Sequence, residues 1–310
     1  MRFLLFLSAY IVSVYIIFKK HKKDGSDDNL ICKYMTIIVY HLNKYILGVE
    51  QEVIKEDPLL FLKDKVLILL NHQNYCDWSH MLHFLYNEKR FDFNCIFKKE
   101  LINTPLLGKF VERRFMWIER DYQKDIQNIK NQLHKLGDTY LFFIFPEGTF
   151  SDDKDTNRYS NDYMKLMNKP SLKYLLSPKY KGVQLLLENI EFDQIIDMTM
   201  IFKENYPKNY DENIMGTTYS SLLLDQYPQK CVINLREIKL NKNNLKNDIL
   251  DIWVEKDKII DKYYSQNRMI YCNPYKKIAK NISIIVFIYI LFILRKKILK
   301  VINKINFVNS

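Results

Sequence analysis

The 310-residue sequence predicts a layered α/β fold, a mostly parallel β-sheet flanked by helices. Three observations carry this. "KVLILL" (65–70) and "TYLFFIF" (139–145) are unbroken apolar runs, as expected of strands covered on both faces. Between them, "DYQKDIQNIKNQLHKL" sets Ile126, Ile129, Leu133 and Leu136 along one helical stripe, and Gly137 follows as a stop. Strand and helix patterns go on alternating afterwards, which favours crossover connections and a parallel sheet.

In chain order, residues 2–18, "RFLLFLSAYIVSVYIIF", come first and are followed by "KKHKK". A membrane-spanning helix needs about 17–25 residues, so the run meets the lower limit. No small-x-small cleavage site follows it, only a bulky "YIIFKK", and the reading is an uncleaved N-terminal membrane anchor rather than a signal peptide. "HKKDGSDDN" reads as a linker. A helix suits Asp77 to Glu88 and another Val183 to Ile190. "IIDMTMIF" (195–202) and "KCVINLREI" (230–238) are further strands, and "LKNDILDIWVEKDKIIDKYY" is one long or two short amphipathic helices. "ISIIVFIYILFIL" (282–294) lies between basic residues and is short for a span, so a thin span, a re-entrant piece and an interfacial helix all stay open. The organisation expected is anchor and linker over 1–30, a central domain over 31–275, and a C-terminal membrane-associated segment with a basic tail over 276–310.

Composition removes several function classes. Forty-eight percent hydrophobic and 14% aromatic residues exclude disorder as the overall state. The net charge of +11, with lysines beside both apolar segments, suits an anionic membrane surface, and no nucleic-acid-binding signature accompanies it. Five scattered cysteines without a C-x-x-C pair fit a reducing compartment. The seven glycines are too far apart for a dinucleotide loop, a Walker phosphate loop or a G-x-S-x-G elbow.

Chemistry-bearing residues follow the two apolar runs. In "LILLNHQNYCDW" a histidine, His72, precedes a carboxylate, Asp77, by five residues. On one continuous helix this offset would turn the side chains about 140° apart. They meet only if His72 sits in a loop leaving a strand and Asp77 opens the next helix. Ligands of parallel sheets gather beyond the carboxyl ends of strands, where both this segment and "FPEGT" fall. Standing alone, the pair reads as a loop histidine and an aspartate favourable near a helix N-terminus; its place at a strand end beside "FPEGT" is what raises the alternative of an imidazole oriented by a carboxylate. Cys76 is the one covalent alternative nearby, with no neighbour that would activate its thiol. His80 and His83 share a helix side with Asp77 and raise a metal hypothesis, but Leu82, Phe84 and Leu85 point to packing, and no metal is expected.

"NHQNYCDW" resembles the N-H-x-x-x-x-D motif of the glycerolipid (1-acylglycerol-3-phosphate) acyltransferases, and "FIFPEGT" resembles their acceptor-binding motif. "FKKELINTPLLGKF" and "FMWIERD" are similar to the intervening segment with its lysine and arginine. "PSLKYLLSPKYKGVQLLLENI", "IIDMTMIF" and "WVEKDKIIDKYY" are similar to the lysophosphatidate and lysocardiolipin branch. The resemblance covers roughly residues 65 to 265. It implies transfer of an acyl chain from acyl-CoA, a co-substrate rather than a cofactor, to a lysophospholipid hydroxyl. Lysophosphatidate giving phosphatidate is the lead, and lysocardiolipin, lysophosphatidylinositol or lysophosphatidylglycerol is the rival acceptor. It assigns His72 and Asp77 to catalysis, Arg120 and Lys98 to acceptor phosphate, and Glu147, Gly148 and Thr149 to the glycerol site. Phe150 departs from the arginine common at that place in the family. The expected setting is a membrane, endoplasmic reticulum or another endomembrane, with the catalytic domain cytosolic. A catalytically silent lipid-binding scaffold is the alternative of another class.

Overall fold

The computed structural model describes residues 28–73, 77–103, 112, 114–119, 121–149, 154–202 and 230–266. Helix α1 (Asp28–His41) begins within the stretch whose composition reads as a linker, and runs into a π-helical turn (Leu42–Leu47) closed by left-handed Gly48, φ 70°. Strand β1 (Glu50–Lys55), β2 (Lys65–Leu70), helix α2 (Asp77–Asn87) and β3 (Phe93–Lys98) follow. After a 3₁₀ turn come β4 (Met116–Ile118), α3 (Tyr122–Gln132), β5 (Tyr140–Ile144), α4 (Lys154–Leu166) and α5 (Tyr180–Asn189). Strands β6 (Gln194–Phe202) and β7 (Lys230–Ile238) and helix α6 (Leu245–Gln266) complete the described chain.

The seven strands form one sheet in the order β1-β7-β6-β2-β5-β3-β4. Every neighbouring pair is parallel except β6–β7, so the mostly parallel sheet expected from the apolar runs is present. The run 66–70 divides its side chains by parity. Val66, Ile68 and Leu70 pack with Met81, Phe84 and Leu85 of α2 on one face. Leu67 and Leu69 pack with Ile129 of α3, Val183 of α5 and Trp253 of α6 on the other. In β5, Leu141 and Phe143 join the first layer, Tyr140 and Phe142 the second. A strand buried on both faces takes a polar residue only where a partner satisfies it, which is why the β2 and β5 runs are continuous.

Among the described residues no helix is long and apolar enough to cross a membrane. The expected anchor (2–18) and C-terminal apolar segment (282–294) lie outside the described residues.

Candidate active site

Strands β2 and β5 are parallel neighbours, so the loops after them emerge side by side at the same edge of the sheet. Asn71, fully buried, continues the β2–β6 ladder with its side chain. Its Nδ2 donates to Met200 O at 2.9 Å and its Oδ1 accepts from Met200 N at 2.8 Å. The backbone then leaves the sheet at His72.

The five-residue offset resolves as the loop-then-helix geometry requires. His72 Nδ1 lies 2.8 Å from Asp77 Oδ2. Asp77 opens α2 and is 1% exposed, whereas the His72 side chain keeps 23% exposure. The same Oδ2 accepts the Gln73 N–H at 2.7 Å, so the carboxylate fixes both the imidazole and the loop. The π-helical turn and β1 hold the start of α2 in place: Asn43 of the turn and Ser79 exchange two hydrogen bonds at 3.0 Å, and Gln51 Nε2 of β1 donates to His80 O at 2.8 Å. The His72 ring packs on Phe145 of "FPEGT", centroids 4.6 Å apart.

Glu147, assigned by resemblance to the glycerol site, lies in the interior beside His72. It is 2% exposed, and its carboxylate is turned inward. Oε1 accepts from His72 N at 3.0 Å and from Trp253 Nε1 at 3.1 Å, and Oε2 accepts from Leu176 N at 3.2 Å. It therefore holds the backbone of His72. Burial pushes its carboxyl up to about 8, against the pull of three N–H donors. Gly148 and Thr149 are exposed, and Gly148 adopts φ 72°, a conformation that favours glycine. Lys179 N donates to Pro146 O at 2.8 Å and ties the segment before α5 to this loop.

Lys98 ends β3, and its side chain lies outside the described residues, as do Arg120 and Cys76. Glu119, the residue before Arg120, accepts from Lys99 Nζ at 2.5 Å. His80 is buried edge-on to Phe202, and His83 edge-on to Tyr40. Burial lowers the His83 imidazole to about 4. Among the described residues no group of three His, Cys, Asp or Glu side chains could hold a metal. Sequence reasoning missed Asn71, the inward turn of Glu147, and Trp253. Asn71 is adjacent to His72 in the quoted motif, and Trp253 stands in "WVEKDKIIDKYY", but nothing local in either stretch says what it touches.

Residues 48–180, which contain both loops, match the family model described as Acyltransferase. An uncharacterised acyltransferase of Saccharomyces cerevisiae is 27% identical over 263 residues, covering 72% of this chain and 63% of that one. The 2-acyl-1-lysophosphatidylinositol acyltransferase of the same yeast is 24% identical, covering 68% and 64%. The 1-acyl-sn-glycerol-3-phosphate acyltransferase epsilon of Mus musculus is 23% identical, covering 77% and 68%. Over residues 48–180, under half of its length, the chain is similar to the acyltransferases. It spans under two thirds of the length of the two yeast acyltransferases. Within the acyltransferase match, His72 and Glu147 stand 75 residues apart in sequence and are joined by the bond from His72 N–H to Glu147 Oε1.

Proposed function

We propose that the protein transfers an acyl chain from acyl-CoA to the free hydroxyl of a lysophospholipid, with lysophosphatidic acid to phosphatidic acid as the lead reaction. The observation that carries this is the 2.8 Å contact between His72 Nδ1 and Asp77 Oδ2 at the partly exposed end of β2. With Nδ1–H held by Asp77, Nε2 takes the proton of the lipid hydroxyl as its oxygen attacks the thioester carbonyl. Collapse of the tetrahedral intermediate forms the ester and breaks the carbon–sulfur bond. The proton passes from imidazolium to the departing thiolate, giving coenzyme A. The acceptor hydroxyl occupies the place a serine would have, so no acyl-enzyme forms.

Arg120 and Lys98 meet the acceptor phosphate in this reading, and Gly148 and Thr149 shape the glycerol site. The segments 2–18 and 282–294 hold the domain at an endomembrane such as the endoplasmic reticulum, on its cytosolic side, where substrate is dissolved in the bilayer. The charge of +11 favours anionic lipid and coenzyme A phosphates. Acyl-CoA is the only co-substrate needed, and no cofactor is invoked. The relative named for lysophosphatidylinositol favours a second reading, remodelling of lysolipids with larger head groups.

Purified full-length protein in detergent, given radiolabelled acyl-CoA and a lysolipid panel, tests both. Wild type forms labelled diacyl phospholipid. His72→Ala loses about three orders of magnitude in rate and Asp77→Asn about two to four, the range for losing a general base or its orienting carboxylate. Full activity in His72→Ala rejects the mechanism. The preferred lysolipid decides between the two acceptors.

A further inference from the structure

Two fully buried side chains of α6, Trp253 and Lys256, reach the site from the protein interior. Trp253 Nε1 donates at 3.1 Å to Glu147 Oε1, the oxygen that also takes the His72 N–H. Three residues later, on the same side of the helix, the Lys256 ammonium donates to Leu69 O at 3.1 Å and to Met198 O at 2.6 Å. It also pairs with Asp197 and stands 5.1 Å from the centroid of the Trp253 ring. Met198 is the register partner of Leu70, and Leu69 lies three residues before His72.

A lysine with no exposure is expensive to bury, and an apolar side chain of the same length would fill the space without that desolvation cost. What a methionine could not supply is direction. The ammonium takes carbonyls from β2 and β6 and a carboxylate from β6 at once, so it fixes where the two strand ends lie relative to each other. Asn71 fixes the next step by its paired bonds to Met200. Glu147, held in turn by Trp253, fixes the step after that at the His72 N–H.

We propose that Trp253 and Lys256 are positioning residues for the His72 base, holding the β2 end and the Glu147 carboxylate where the imidazole meets Asp77. The kinetic half of this rests on the acyl-transfer reading, and the structural half does not. Neither residue touches substrate. Both act through the backbone that carries His72.

The test uses the full chain in detergent. Trp253→Phe keeps an aromatic ring and deletes the N–H; Lys256→Met keeps the length and deletes the charge. Trp253→Phe is expected to lower kcat about tenfold, the scale of a small displacement of a catalytic group, with KM for both substrates within about twofold. Amide hydrogen exchange at His72 and Leu176, both donors to Glu147, is expected to accelerate about tenfold in Trp253→Phe, while the β1–β7 ladder is unchanged. Lys256→Met is expected to speed exchange at His72 in the same local way. Added to Glu147→Gln, Trp253→Phe is expected to cost less than about twofold more in kcat, because the two share one route. Three results would overturn the proposal: exchange at His72 unchanged in Trp253→Phe, exchange rising evenly across the sheet, or fully additive losses in the double variant. If wild type forms no ester, the acyl-transfer reading fails, and exchange at His72 still decides the positioning claim. Should Lys256→Met fail to fold, Trp253→Phe decides it alone.

Discussion

Gly148 sits between a buried carboxylate and an exposed threonine with φ 72°, and its requirement is conformational rather than spatial. A Cβ there would meet Lys179 Nζ at 3.5 Å and Lys179 Cδ at 3.7 Å, ordinary contacts with a flexible side chain. Gly148→Ala is therefore expected to cost about 1–2 kcal/mol from the left-handed backbone alone. In a domain of this size that is a fall of roughly 2–8 °C in Tm, read by a thermal melt. An unchanged Tm would show that the loop relaxes out of the left-handed region. At this scale the histidine and aspartate were legible because they are five residues apart and only one backbone change lets them meet. Glu147 was legible as important, but its bonding partners were not. Its motif says that a carboxylate is needed, whereas the direction in which it points depends on N–H groups contributed by His72, Leu176 and Trp253.

Elements reveal themselves in sequence when both faces are buried. Strands β2 and β5 were legible because their apolar runs are unbroken, and β6 and β7 because their nine residues stay mainly apolar around Asp197, Thr199, Asn234 and Arg236. Strand β1, "EQEVIK", lies at a sheet edge and alternates exposed with half-buried residues, and β4 has three residues, so neither leaves a pattern. Helix α4, "KDTNRYSNDYMKL", is largely polar, and the side it buries, with Ser160 and Met164, holds too few apolar residues to stand out. Helix α6 proved to be one helix, and its polar residues do as much as its apolar ones. Asp257, 8% exposed, accepts Lys173 N at 2.9 Å and Tyr174 N at 2.8 Å, which staples to α6 the segment that delivers Leu176 N to Glu147. Asp257→Ala leaves these N–H groups without their acceptor. The expected cost is about 2–4 kcal/mol, from roughly 1–2 per orphaned donor, measured by denaturant unfolding. A loss below about 0.5 kcal/mol would mean that water replaces the carboxylate.

Across the whole molecule, two buried groups give stability a pH dependence of opposite sign. His83 is lowered to about 4 by burial. The unfolded chain, with an ordinary imidazole near about 6.5, binds the extra proton between those values, so this contribution to stability is lost as pH falls from 6.5 towards 4. Glu147 is raised by burial to about 8 from an ordinary value of 4.5. Here the folded state holds the extra proton, so stability is full below about 4.5 and is lost as pH rises towards 8. Between about 4.5 and 6.5 the two slopes offset each other. From about 6.5 to 8 only the Glu147 loss remains of this pair, at up to about 1.4 kcal/mol per pH unit. The wild-type chain is therefore expected to lose stability across this upper window, and Glu147→Gln, which cannot ionise, to lose much less. The glutamine variant would start lower, since its amide group confronts an N–H donor where the carboxyl oxygen accepted one, and the gap between the two proteins should narrow towards pH 8. Denaturant midpoints at half-unit steps from pH 5 to 8.5 measure this directly. Parallel curves for the two proteins would show that Glu147 is already ionised at pH 6.5, its charge carried by the N–H groups of His72, Leu176 and Trp253.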